Sequence, residues 1–133
     1  MTVLLVDVAN VLGARPDGWW RDRAGATTRL LARLADLPGR ELTGPGGGPL
    51  RISALVAVVE GAARDVPAPA GIRVVRAPGS GDDALAAEAA ASSGRLLVVT
   101  ADRGLRARLP SGTATTGPGW LLGHLPNASG TAG

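Results

Sequence analysis

The fold is decided by the stretch Val3-Leu4-Leu5-Val6-Asp7-Val8-Ala9-Asn10. Its four consecutive apolar residues predict a strand buried on both faces, which is typical of the centre of a parallel sheet. The strand ends at Asp7, and an amide follows at Asn10. A carboxylate at the end of a buried strand is costly unless a cation or a hydrogen-bond donor meets it. The stretch therefore predicts a polar site there, to which other carboxylates of the chain could contribute.

Composition limits the classes of function. With 133 residues the chain has the size of one domain. It has no Cys and a single His, His124, which excludes disulfides, zinc–thiolate centres and multi-histidine metal sites. All 14 basic residues are Arg, so a Walker-type phosphate loop is excluded and the Gly44–Pro49 run is interpreted as a flexible connection. The net charge of +3 permits nucleic-acid binding without requiring it.

Strand and helix patterns alternate along the rest of the chain. Further strands are predicted at 50–59, 72–76, 95–100 and, briefly, 113–116. Helices are predicted at 21–36, 82–93 and 102–109, with a last helical turn at 117–122, whereas 11–20 and 38–49 are predicted as turn and loop. The order predicts an α/β fold: a central parallel sheet of four to five strands with helices on both faces. Residues 1–126 would form this domain and 127–133 a flexible tail.

Five acidic residues come at or just after the carboxyl ends of the predicted strands. They are Asp7, Glu60, Asp82, Asp83 and Asp102. In open parallel sheets, ligands bind beyond the carboxyl ends of the strands. Several carboxylates at one place repel one another unless a divalent cation lies between them. Oxygen ligands without Cys or His favour Mg²⁺ or Mn²⁺.

Each acid also has a purely structural interpretation. Asp83 follows Ser80 in the Ser-x-x-Asp pattern of a helix start, and Asp102 or Asn10 could cap a helix or a turn. For Glu60, simple solvation is the favoured interpretation. Capping does not explain Asp7, however, and the five acids together favour one shared site.

Aromatic and basic residues suggest how a substrate could be held. Trp19 and Trp20 could stack on bases, although packing is the favoured role for at least one of them. Arg103 and Arg106 lie three residues apart beside Asp102, and Arg21 is predicted near the same edge of the sheet. Arg is suited to phosphate. For each Arg taken singly, a solvated basic face is an equal alternative.

Targeting signals are absent from the sequence as read here. No stretch approaches the roughly 20 apolar residues of a membrane span, and the apolar start is too short for a signal peptide. The expectation is therefore a cytoplasmic protein without a membrane contact. The sequence leaves a homodimer open.

The motifs resemble the NYN branch of the PIN-like ribonuclease domains, in particular small bacterial NYN-domain or PIN-like RNA-binding proteins. The matching stretches span most of the chain in the right order. They are residues 6–10 (Val-Asp-Val-Ala-Asn), 15–23 (Arg-Pro-Asp-Gly-Trp-Trp-Arg-Asp-Arg), 79–83 (Gly-Ser-Gly-Asp-Asp) and 100–105 (Thr-Ala-Asp-Arg-Gly-Leu). The first and last resemble the family's Asp-x-x-Asn and Thr/Ser-x-Asp-Arg elements. Val8 stands where many relatives have Gly.

The resemblance implies a three-layer PIN-like domain and a metal-dependent endoribonuclease that acts on RNA. Single-stranded RNA is the expected substrate in preference to duplex RNA. By resemblance the metal-binding acids are Asp7, one or both of Asp82 and Asp83, and Asp102, with Asn10 in support. Asp7, Asp83 and Asp102 are expected to hold the Mg²⁺ or Mn²⁺ ion, and the fourth acid is either Glu60 or Asp82. A catalytically inactive RNA-binding module of the same fold is the main alternative, and a metal-dependent DNA 5′-nuclease or phosphatase is the third.

Overall fold

The computed structural model describes residues 1–15 and 18–125. Within them the chain forms six strands and five helices. The strands are β1 (Thr2–Asp7), β2 (Glu41–Thr43), β3 (Pro49–Val59), β4 (Arg73–Arg76), β5 (Leu96–Val99) and β6 (Ala114–Thr116). The helices are α1 (Val8–Gly13), α2 (Arg23–Leu34), α3 (Gly81–Ala91), α4 (Arg103–Arg108) and α5 (Pro118–His124), and 3₁₀ turns occur at Trp19–Arg21 and Gly61–Ala63.

The apolar start of the chain is the central strand of the sheet. β1 lies between β3 and β5 and is parallel to both. β6 extends the sheet beyond β5, and β4 pairs in parallel with the carboxyl-terminal half of β3. Only the short β2 is antiparallel, and it pairs with the first residues of β3. All the parallel strands therefore end at the same edge, which we call the acidic edge because Asp7 terminates β1 there.

Two apolar cores cover the two faces of the sheet. Leu4 and Val6 point into a core with residues of α1, α2 and α5, whereas Leu5 points into a second core with residues of α3 and α4. Leu4, Leu5 and Val6 are all at most 1% exposed, as expected for a strand buried on both faces. The predicted α/β fold, with three layers and a parallel central sheet, is confirmed.

Two elements differ from the sequence prediction. The turn predicted after Asn10 contains instead the six-residue helix α1, which is capped by Asp7. The Gly44–Pro49 run is a hairpin turn between β2 and β3, closed by hydrogen bonds from Gly44 N to Gly48 O (2.7 Å) and from Gly47 N to Gly44 O (2.9 Å). Gly47 has a φ of +96°, a conformation that L side chains rarely adopt. The prediction that 38–49 is loop throughout was wrong, because this segment contains β2 and a hydrogen-bonded hairpin turn.

In the described part of the chain, none of the helices has both the length and the apolar character needed to cross a membrane. The predicted tail, 127–133, lies outside the described residues.

Candidate functional site

Asp7 lies at the end of β1 and is only 5% exposed. The Thr100 hydroxyl donates a hydrogen bond to its Oδ2 (2.8 Å), and the backbone N–H of Asn10 donates to its Oδ1 (3.3 Å). The same carboxylate therefore caps α1 and is tied to the residue that follows β5. The expectation that Asp7 has no capping role was wrong. The chain supplies this contact because β1 and β5 pair in parallel, with Val6 opposite Val99.

Asn10 and Thr100 join the start of α1 to the loop after β5. The Asn10 Oδ1 accepts from Ala101 N (2.8 Å), and Thr100 Oγ1 accepts from Asp102 N (3.1 Å). Thr100 is fully buried. Its hydroxyl thus bridges Asp7 and the backbone of Asp102, although these residues are far apart in the sequence. Thr100 was assigned no more than a capping role from the sequence, and the Thr-x-Asp-Arg motif is the signal for the role that the structure gives it.

Asp102 is the N-cap of α4, and its Oδ1 accepts from Leu105 N (3.0 Å). Capping therefore uses Oδ1 of Asp102, whereas Oδ2 accepts no hydrogen bond from the described residues. Arg106 is occupied differently from the prediction, since its Nε (3.0 Å) and Nη2 (2.6 Å) both donate to the carbonyl of Thr100. Its guanidinium holds the end of β5 in place, which weakens its case as a phosphate ligand.

Glu60 follows β3 and reaches the first turn of α3. Its Oε2 accepts from the backbone N–H of Gly81 (2.9 Å). A Cβ at position 81 would lie 2.6 Å from Glu60 Oε1, so the approach requires a residue without a side chain. Glu60 is thus bound to the helix that carries Asp82 and Asp83, a contact that the favoured interpretation of simple solvation does not describe.

The acids at this edge interact electrostatically. Burial raises the pKa of Asp7, and repulsion from Asp82 and Glu60 adds to the effect, whereas the Thr100 and Asn10 hydrogen bonds oppose it. The pKa of Asp82 is also raised, by desolvation first and then by Asp102 and Glu60. Asp82 therefore interacts electrostatically with each of Asp7, Glu60 and Asp102. We call Asp7, Glu60, Asp82 and Asp102 the acid cluster.

Asp83 has a different environment from its neighbour. Its side chain is 73% exposed and forms an ion pair with Arg108 (2.7 Å). Successive residues of a helix point about 100° apart, so only one of two adjacent acids can face a given site. Ser80 caps α3 and sets this phase by accepting from Asp82 N (3.1 Å). Asp102 and Glu60 raise the pKa of Asp82, whereas Asp83 is exposed and paired with Arg108, so we assign Asp82 to the group of acids in place of Asp83, the ligand expected from the sequence.

The acid cluster has the right ligands for a hard cation but does not form a closed cage. Within residues 1–15 and 18–125, no three acidic or histidine side chains are close enough together to hold one metal ion. Mg²⁺ is usually bound by one or two carboxylates together with water and substrate phosphate, and it seldom occupies an all-protein cage. The oxygen-only donor set and the mutual repulsion of the acids therefore fit a hydrated Mg²⁺ or Mn²⁺ better than a fully protein-ligated ion.

Aromatic and basic side chains lie on the segment before α2. Trp19 is half-buried against the core, and Trp20 is 59% exposed, with the two rings edge to face at 6.3 Å. The Arg21 guanidinium lies 6.0 Å from the Trp20 ring, and that of Arg23 lies 5.6 Å from the Trp19 ring. On α4, Arg103 is exposed beside Asp102. The sequence also predicts Arg23, with Arg15 and Arg76, near this edge of the sheet, but does not single it out as a substrate-binding residue.

Comparison with solved structures finds a chain of similar fold. The structure is similar to the crystal structure of Rae1 (YacP) from Bacillus subtilis, a W164L mutant, with a TM-score of 0.63 and 18% sequence identity. The match covers 92% of this chain and 73% of the Bacillus chain. No protein-family model matches the sequence, and no curated protein matches it significantly. At this identity the likeness concerns the fold alone, which is an α/β fold with a central, mostly parallel sheet.

Proposed function

We propose that the protein is a metal-dependent endoribonuclease whose site is the acid cluster at the carboxyl end of the sheet. The observation that carries the proposal is the mutual electrostatic repulsion of Asp7, Glu60, Asp82 and Asp102, which come from four separate places in the sequence. Carboxylates that destabilise one another are retained where their charge is used, and perturbed pKa values are concentrated at functional sites. The position of the cluster at the carboxyl end of a parallel sheet supports the proposal, because such sheets bind ligands at that end.

Each residue of the cluster has a distinct task in this proposal. Asp7 is held by Thr100 and Asn10 in one orientation, with hydrogen bonds that favour its ionised form. Asp82 accepts no hydrogen bond on its carboxylate from the described residues, so its oxygens remain available to a cation. Asp102 can bind the cation through Oδ2, because Oδ1 caps α4. Glu60 fixes the start of α3 by accepting a hydrogen bond from Gly81 N. Asn10 fixes the loop after β5, on which Asp102 lies.

A bound Mg²⁺ or Mn²⁺ would supply an activated water and neutralise charge that develops on the scissile phosphodiester. One or two of the carboxylates of Asp7, Asp82 and Asp102 would hold this ion, with water and the substrate phosphate completing its coordination. Arg103, exposed at the start of α4 beside Asp102, would donate to the phosphate backbone of the strand.

The proposal is tested by cleavage of a labelled single-stranded RNA with Mn²⁺ and with EDTA. Asp7→Asn removes one acid of the acid cluster. The matched control, Asp36→Asn, removes one exposed acid after α2. We expect cleavage by the unaltered protein and by Asp36→Asn with Mn²⁺, and none with EDTA or in Asp7→Asn. Activity that survives both EDTA and Asp7→Asn would refute the assignment.

Two alternatives use the same site. An RNA-binding module without turnover would bind RNA in a salt-dependent manner and give no product at any Mn²⁺ concentration. A metal-dependent DNA nuclease or phosphatase would cleave a DNA strand of the same sequence, or a phosphate monoester, in preference to the RNA. A phosphatase with an aspartyl nucleophile is disfavoured, because Ala9 stands where that chemistry requires a second Asp.

A further inference from the structure

Arg23 is a cation without a polar partner in the described part of the chain. Its side chain is half-buried, and its Nε is inaccessible to solvent and has no hydrogen-bond acceptor among the described residues. Its recorded contact is the cation–π contact with the Trp19 ring, at 5.6 Å. A buried N–H group without an acceptor costs free energy, and a charged group costs more. Stability of the fold therefore does not explain an Arg at this position.

The place of Arg23 on its helix points the same way. It is the first residue of the 12-residue helix α2. The amino end of a helix carries partial positive charge, which disfavours a cation and favours an anion. Asp22 caps this end by accepting from Gly25 N (3.0 Å), but it makes no ion pair with Arg23. Both the helix end and the guanidinium thus favour an incoming anion.

Arg23 also lies beside the acid cluster. Its Nη1 is 3.6 Å from the point where a Cβ on Gly61 would sit, and Gly61 directly follows Glu60. Gly61 has a φ of +61°, so the chain turns sharply at this point. An anion held by Arg23 would therefore lie next to the acids proposed to cut RNA, rather than on a remote face.

An exposed aromatic ring completes the arrangement. Trp20 is 59% exposed and is held edge to face against Trp19, whose own ring packs on the core. Arg21 lies 6.0 Å from the Trp20 ring. Base-on-aromatic stacking beside a basic groove is how proteins hold single strands without reading their sequence. The chain has only three aromatic residues, so exposing one of them calls for an explanation.

We propose that Trp19, Trp20, Arg21 and Arg23, here called the Trp–Arg surface, bind single-stranded RNA next to the acid cluster. Arg23 holds a backbone phosphate, and Trp20 stacks on a base of an adjoining nucleotide. Trp19 keeps the Arg23 guanidinium in position. The inference rests on the proposed function for its choice of nucleic acid, and it adds the residues that would bind the strand before cleavage.

The test measures binding without cleavage. Fluorescence anisotropy of a short fluorescein-labelled oligouridine is recorded in EDTA for the full chain and for Arg23→Gln, Arg23→Lys and the control Arg29→Gln. Arg29 is an exposed Arg of the same helix, so its replacement removes the same charge. We expect Arg23→Gln to raise Kd about tenfold, because a charge-assisted hydrogen bond is lost. The slope of log Kd against log salt should fall by about 0.7, the value of one single-strand phosphate contact.

Arg23→Lys separates charge from shape. It should keep the salt slope and raise Kd by less than Arg23→Gln does, because Lys retains the charge and loses the planar fork. Equal Kd values for Arg23→Gln and Arg29→Gln would overturn the proposal. Equality is taken as agreement within about twofold, which is below 0.5 kcal/mol.

Trp20→Ala is a second test of the surface and does not depend on whether the Arg23 variants fold. The Trp20 ring is exposed, so its removal should leave the fold intact. It should raise Kd for oligouridine about tenfold and leave Kd for an abasic strand of the same length unchanged. An equal loss for both strands would contradict stacking. Arg23-dependent binding without any cleavage in Mn²⁺ would support the surface and refute the nuclease. Cleavage that is insensitive to Arg23 would do the reverse.

Discussion

The two ends of the parallel strands present different surfaces. At the carboxyl end four acids from separate parts of the chain repel one another around the end of β1. At the amino end lies a groove of about 670 Å³, lined by the Gly-rich hairpin, the start of β5 and the loop before β6. Arg95 is the charged residue of that lining, which otherwise consists of small, apolar and hydroxyl side chains.

The comparison teaches that cavity volume and chemistry do not coincide in this fold. A large apolar cavity with convergent polar groups is the usual starting hypothesis for a binding site. Here the groove lacks carboxylates, whereas the acidic edge contains Asp7 and Asp82, whose pKa values are raised. In a parallel sheet the carboxyl end is also where ligands bind. We therefore assign function to the acidic edge, and the predictions below test that asymmetry.

The largest expected effect is the loss of cleavage in Asp7→Asn. Removing the outer partners of metal ligands already costs about 10- to 100-fold, and Asp7 is proposed as a ligand itself. The rate of RNA cleavage at saturating Mn²⁺ should therefore fall by more than about 100-fold. Single-turnover rates for this variant and for Asp36→Asn provide the measurement. A fall of equal size in both variants would remove the distinction between the acidic edge and the rest of the surface.

Asp82 and Asp83 give the sharpest test inside the acidic edge. Asp82→Asn should reduce cleavage by about 100-fold, as expected of a metal ligand, because this carboxylate interacts with the other acids. Asp83→Asn should change it by less than about threefold, since an exposed ion pair with Arg108 is worth little. The comparison is made at several Mn²⁺ concentrations, and a larger loss in Asp83→Asn would show that the helix phase assigned here is wrong.

The pH dependence of stability isolates the charge on Asp7. Its pKa is raised on folding, so the native state keeps a proton that the unfolded chain releases, and the destabilisation appears as pH rises through the folded pKa. In EDTA, Asp7→Asn should be more stable than the unaltered protein by about 1 kcal/mol at neutral pH, as is common when a functional charge is removed. The difference should shrink as the pH falls towards the ordinary range of Asp.

Urea unfolding of both proteins at several pH values checks this prediction. Asp36→Asn is the control, because this carboxylate is exposed and its replacement should leave the free energy of unfolding nearly unchanged at every pH. An Asp7→Asn variant that is less stable than the unaltered protein at neutral pH would mean that the Thr100 and Asn10 hydrogen bonds outweigh burial.

The smallest expected effect is at the amino-end groove. Arg95→Gln removes its charge without touching the acidic edge, and Arg95 is exposed. Cleavage, Mn²⁺ dependence and the Kd for oligouridine should all stay within about twofold of the unaltered protein, a difference below 0.5 kcal/mol. A large loss of RNA binding in Arg95→Gln would mean that part of the RNA binds at the amino end of the strands, which would contradict the assignment of function to the acidic edge.

The central strands and the position of the acids could be predicted from the sequence. β1, β3 and β5 contain apolar runs without alternation, and parallel strands bring their ends together whatever their exact limits. Short elements could not be predicted. α1 has six residues and β2 has three, too few for a periodicity to be visible, and α1 depends on a cap from a strand-end Asp.

Side-chain direction was the second limit. The choice between Asp82 and Asp83 depends on the phase of α3, and a shift of one residue in the helix start reverses the answer. The hydrogen bonds of Arg106 to the Thr100 carbonyl, and the missing partner of Arg23, depend on tertiary contacts that no local pattern encodes. The roles of Asp7, Asn10, Asp102 and Glu60 in catalysis stay predictions.

The central claim is that the acid cluster holds a divalent cation. Anomalous diffraction from a crystal soaked in Mn²⁺ tests it most directly, because the metal itself gives the signal. We predict a manganese peak at the acidic edge, near Asp102 and in contact with a carboxylate oxygen of Asp7 or Asp82. Peaks only at Asp83 or elsewhere on the surface, or none at a Mn²⁺ concentration that supports cleavage, would contradict the account.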